Sequence, residues 1–110
     1  MLYFKSSGQS GIFVAYTEGP LLIIECDMEV NGGFFVVRTF RFPLNSIEGY
    51  TVHSFLGMKP SFIQIAAFHT DLTGYSRRLP IENLSRAEQK KLCAFLDGII
   101  TKTRRLASSV

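Results

Sequence analysis

The chain has 110 residues, 46% apolar and 19% charged, with a formal net charge of +3 at pH 7. That is the length of one domain, apolar enough to build a packed core and too apolar for a disordered chain. No apolar run approaches the roughly 18 residues of a membrane span. Met1-Leu2-Tyr3-Phe4-Lys5 has no basic stretch leading into an apolar one, so the expectation is a cytoplasmic protein without a secretory signal.

Glycine and proline divide the chain into short segments rich in β-branched and aromatic residues, which predict strands near 2–5, 11–17, 21–30, 34–42, 46–55, 61–70 and 75–81. The segment 6–11, Ser-Ser-Gly-Gln-Ser-Gly, reads as a turn, and Glu18-Gly19-Pro20 is the next break. Alternation is clearest in 21–30, where Leu22, Ile24, Cys26, Met28 and Val30 share one face and Glu25, Asp27 and Glu29 the other. Asn31-Gly32-Gly33 then predicts a hairpin with a type I′ turn, whose two central residues need positive φ. In 34–42, Phe34, Val36, Phe40 and Phe42 fall on one side with Arg38, and Phe35, Val37, Thr39 and Arg41 on the other. Both faces are partly apolar, so part of this strand is expected to be covered twice or to lie at an interface. The near-continuous apolar run from Phe62 to Phe68 fits a central strand.

After residue 84 the apolar period changes to that of a helix. Ser85-Arg86-Ala87-Glu88 matches a capping box, in which the Ser85 hydroxyl accepts from the Glu88 amide and the Glu88 side chain reaches back. Leu92, Phe95, Leu96 and Ile99 form one apolar stripe, and Lys102, Arg104 and Arg105 sit where positive charge favours a helix C-terminus. Gly98 inside this helix is expected to permit close approach to a strand. The domain is read as 1–106, with 107–110 as a frayed tail.

Seven hairpin-connected strands followed by one helix define an α+β domain. Such a strand set is expected to bury its edges by curling into a small barrel plugged by the helix. This order resembles the pleckstrin-homology superfold, in particular its bacterial PH-like members. Tyr16-Thr17-Glu18-Gly19-Pro20-Leu21-Leu22-Ile23 is similar to the family's Thr-containing turn into an apolar third segment. Phe42-Pro43-Leu44-Asn45-Ser46-Ile47 is similar to its Pro-Leu-x-x-Ile approach to the fifth strand, and the helix over 85–100 takes the place of its closing helix.

The resemblance implies a lipid site, because phosphoinositide-binding members gather Lys and Arg around the first hairpin to meet headgroup phosphates. Here that hairpin offers Lys5 and then a run of Ser, Gly and Gln, so no specific phosphoinositide binding is expected. His69 and Asp71 would share a face if the strand continued through Asp71, but the expected reading is that Asp71 opens a turn. Cys26 and Cys93 lack metal or redox spacing and are expected to be reduced, small apolar side chains. The chain is polarised, with Lys5 against Glu18, Glu25, Asp27 and Glu29 early, and six Lys and Arg against Glu88 and Asp97 after residue 84. Even so, adjacent Arg77 and Arg78 point to opposite faces of a strand, and no nucleic-acid surface is expected.

What remains is apolar surface: ten Phe and four Tyr are more than a small barrel interior needs. The expectation is a non-catalytic binding or assembly module without cofactor or metal. It would dock a protein partner or form a homo-oligomer through the outer face of strand 34–42, that is Phe35, Val37, Thr39 and Arg41. The alternative is a carrier of a small apolar ligand, with its pocket between barrel and helix.

Overall fold

Two antiparallel sheets meet at Pro43. In the computed structural model, which describes residues 3–5, 13–30, 32–54, 56–69, 71 and 73–108, the first sheet holds strands β1 (Tyr3–Lys5), β2 (Phe13–Glu18), β3 (Leu21–Val30) and β4 (Phe34–Pro43). They lie in the order β1-β2-β3-β4. The second sheet is β5 (Ile47–His53), β6 (Phe62–Phe68) and β7 (Gly74–Pro80), with β6 central as its apolar run predicts, and helix α1 (Arg86–Ser108) ends the fold.

The fold is therefore α+β as expected, but the strands do not close into a barrel. Among the described residues the pairings form one four-stranded and one three-stranded ladder, with no bridge between them. The cause lies at the corner. Proline has no amide to continue a ladder, and a 3-10 turn over Leu44–Ser46 swings the chain into the second sheet. Leu44 N donates to Pro20 O at 2.8 Å and Ser46 Oγ to Pro43 O at 2.7 Å, which fixes that corner.

The core fills the space between the sheets. Phe13, Ala15, Leu22, Ile24, Cys26 and Phe42 from the first sheet pack with Ile63, Ile65, Ala67 and Leu79 from the second. Leu92, Leu96 and Ile99 of α1 are buried in the same cluster with Phe95 against it, and the helix packs on β1, β5 and the 3-10 turn. The capping box forms as its sequence predicts: Glu88 N donates to Ser85 Oγ, and Ser85 N to Glu88 Oε1, each at 3.1 Å.

Helix α1 runs to Ser108. Two local expectations change. Gly98 is exposed, and a Cβ there would meet nothing within 4 Å, so it serves no close approach. In the hairpin, Val30 pairs with Phe34, leaving a three-residue connection. The positive φ angles fall on Gly32 (83°) and Gly33 (81°), where the missing Cβ removes the steric penalty. Asn31 lies outside the described residues.

Candidate docking surface

β3 and β4 pair without a register break from Leu21↔Pro43 to Val30↔Phe34. At about 3.3 Å per residue, ten-residue strands outreach the seven-residue strands of the second sheet by some three residues, or roughly 10 Å. Burial along β4 follows this mismatch. Phe42, near the corner, is 1% exposed and Phe40 is half-buried, whereas Val36 is 40% exposed and Phe34 71%. The distal half of the hairpin is an arm reaching past the core.

Along the arm neither apolar pair of β4 faces the interior. Phe35 and Val37, on the outer face, are 65% and 52% exposed, and Phe34 and Val36, on the other, are exposed as well. Alternation assigned the faces; the overhang leaves both uncovered. Thr39 and Arg41 continue the outer row of Phe35 and Val37 and are exposed too. Opposite them on β3 stand Glu29, Asp27, Glu25 and Ile23. Among the described residues β4 pairs with β3 alone, so its other edge is unpaired.

Open grooves lie beside the arm and, apart from it, beside the helix. One of about 360 Å³ runs between the arm (Asp27, Met28, Phe35) and the second sheet (Phe62, Arg78, Pro80). The other, about 460 Å³, lies beside the helix between Val52, Pro60 and Cys93, with Arg86, Lys90 and Asp97 along it. The latter is where an apolar ligand was expected, and its lining carries three charged groups.

The residues weighed for acid–base chemistry are placed elsewhere. β6 ends at Phe68, and Asp71 sits in the following turn, where its Oδ1 accepts from Thr73 N at 3.0 Å and from the Thr73 hydroxyl. Those bonds hold the Asp71 carboxyl below its ordinary pKa. His69 stacks on Tyr75 at 4.2 Å and His53 on Phe62 at 4.6 Å. Cys26 is buried, and burial, followed by the charge of Asp27, pushes its thiol up to about 11, so it stays protonated and unreactive. Burial raises the Cys93 thiol as well. Among the described residues no three His, Cys, Asp or Glu side chains gather as a metal site. Among the described residues no helix is long and apolar enough to cross a membrane.

Arg77 and Arg78 do part to opposite faces of β7, Arg77 over the Tyr75 ring at 5.4 Å and Arg78 over the Phe62 ring at 4.8 Å. The segment after Lys5, where a headgroup site would form, and the side chains of the basic helix end lie outside the described residues. No protein-family model matches the chain, and neither does any curated protein or solved structure.

Proposed function

We propose that this chain is a non-catalytic docking module that binds protein through the β3–β4 arm. The observation that carries this reading is the stretch 34–37, where four consecutive apolar side chains are exposed on both faces of one strand beside an edge that pairs with no described strand. Water-exposed apolar patches of this kind on small proteins mark interaction surfaces. Phe35, Val37, Thr39 and Arg41 form the outer row of the contact, and Phe34 and Val36 extend it to the other face. The succession of four strands, three strands and a helix supports the resemblance to the pleckstrin-homology superfold, and the docking role does not depend on it. A ligand-carrier role has less support, because the groove beside the helix is open and charged.

Native mass spectrometry of the protein purified from its own host tests the reading. A protein complex is expected for the wild type and its loss for Phe34→Asp combined with Phe35→Asp, with the melting curve unchanged. A complex indifferent to both substitutions, or a bare monomer, would overturn the arm as the docking surface. A monomer retaining a small apolar molecule would favour the carrier.

A further inference from the structure

We infer that the occupant of the arm is a second copy of this chain, joined by antiparallel pairing of the two free β4 edges about a two-fold axis at Val36. The inference rests on the docking reading above. An occupant lying on one face of the arm would leave the other apolar pair in water. A strand added at the edge covers both, since its side chains alternate between the faces while its backbone satisfies the open amides and carbonyls.

The side-chain pattern of β4 complements itself. A two-fold axis perpendicular to the sheet keeps outer residues with outer ones, so the choice lies among axes at successive residues. With the axis at Val36, Phe35 of each copy lies opposite Val37 of the other, and Val36 opposite its counterpart. Val36 also pairs with Met28 within the chain, and Met28 packs against the core. The row Met28-Val36 thus runs outward from the core to the edge, and the second copy continues it to its own core.

Charge selects the same register. Arg38 falls opposite Phe34, where a guanidinium meets an aromatic ring favourably. An axis at Arg38 would set two guanidinium groups face to face, which is destabilising. One at Phe35 would place Val37 beside Gly33, beyond the end of the strand, and one at Val37 would set Arg38 against Val36. Residues 34–37 carry no Lys, Pro or bulge, the devices by which edge strands avoid pairing.

The interface is small. Each two-thirds-exposed phenyl side chain offers on the order of 100 Å², so two of them, two smaller valines and a short edge stay below the roughly 800 Å² per partner of a standard complex. A dimer that dissociates in the micromolar range is expected.

The experiment uses Val36→Cys in a Cys93→Ser background, Cys26 being buried at 1% exposure. Directly opposite Cα atoms in an antiparallel pair stand about 4.5–5.5 Å apart, within disulfide reach. Mild oxidation at a concentration where light scattering detects dimer is expected to link Val36→Cys into a covalent dimer. Leu56→Cys, 85% exposed on the β5–β6 loop, serves as the collision control and is expected to stay unlinked. Phe35→Asp is expected to scatter as a folded monomer. A wild type monomeric up to several hundred micromolar would overturn the second copy while leaving a foreign partner open to the native-mass experiment. A dimer lost in Phe35→Asp in which Val36→Cys links no faster than Leu56→Cys would keep the arm and overturn the edge pairing. A dimer untouched by Phe35→Asp would overturn both.

Discussion

Tyr50 and Asp97 join the second sheet to the helix: the phenol of β5 donates to Asp97 Oδ1 at 2.7 Å, with the Cys93 carbonyl 3.3 Å away. Burial first, and the bond to Asp97 next, push the Tyr50 pKa above its ordinary value. An unfolded tyrosine ionises near pH 10, so above that pH the native chain keeps a proton that the unfolded chain has lost. The contribution is whole below about pH 10 and declines as pH rises beyond it. Tyr50→Phe is expected to cost about 1 kcal/mol near neutrality, the modest value of a partly solvated bond. Urea unfolding checks this: the gap between wild type and variant should be constant below about pH 9 and narrow above about pH 10. A gap that widened with alkali would refute the assigned bond.

Ser85→Ala removes one half of the capping box, leaving the Glu88 amide without the hydroxyl that accepts from it at 3.1 Å. The expected loss is about 1 kcal/mol. Ser85→Asp, which restores an acceptor at the positive end of the helix, should recover most of it in thermal melts. Equal losses in both variants would show that packing, not the cap, decides this position.

Gly98→Ala should stabilise the fold. The residue lies inside the helix, is exposed, and has open space where the Cβ would stand. Alanine limits the unfolded chain and favours the helix by up to about 1 kcal/mol over glycine. A lower melting temperature would mean that the helix face at Gly98 meets something in solution.

The arm should tolerate polar substitution. Phe34→Asp and Phe35→Asp are each expected to change stability by no more than about 0.5 kcal/mol under conditions where the wild type is monomeric. Leu79→Ala, at a residue with 0% exposure, should cost about 2–5 kcal/mol through lost burial and the cavity left behind. Denaturant titrations of the three variants side by side check the contrast. An arm variant that unfolds like Leu79→Ala would place its phenyl ring in the core.

Alternation and turn residues made the seven strands legible in the sequence, together with the central place of β6 and the start of the helix. These are local signals, and local packing obeys them. The reach of the arm was not legible from alternation, because period two says which residues share a face and is silent on whether anything covers it. Strand length did not carry it either: the signals over 46–55 and 61–70 are as long as those of β3 and β4, and only the structure ends β5 at His53 and β6 at Phe68. The open ladder is hidden for a related reason: a proline between two strand signals, such as Pro43, marks a break without saying whether hydrogen bonding resumes beyond it. Gln89 lies three residues before Leu92 and seven before Leu96, on the apolar stripe itself, where a polar side chain is buried.

That position gives the last prediction. Gln89 is 6% exposed, and its Nε2 donates to Pro60 O and Ile81 O, each at 3.0 Å. The side chain thereby ties the helix to the chain entering β6 and to the chain leaving β7. Gln89→Leu keeps the bulk and removes both donors. Ile81 O still accepts from Leu84 N at 3.0 Å, so the deficit falls on the Pro60 carbonyl. The expected cost is about 1 kcal/mol, because that carbonyl is only part-buried beside the open groove. Gln89→Glu separates the hydrogen bonds from the packing. Its carboxylate would face the same two carbonyls at neutral pH, so its folded pKa rises above the unfolded value of about 4.3. The native state then holds a proton the unfolded chain lacks, and this variant should gain stability relative to Gln89→Leu as pH falls toward 4. Urea midpoints measured across that range decide it: a Gln89→Leu protein as stable as wild type, or a Gln89→Glu protein that tracks it at every pH, would remove the clamp from this account.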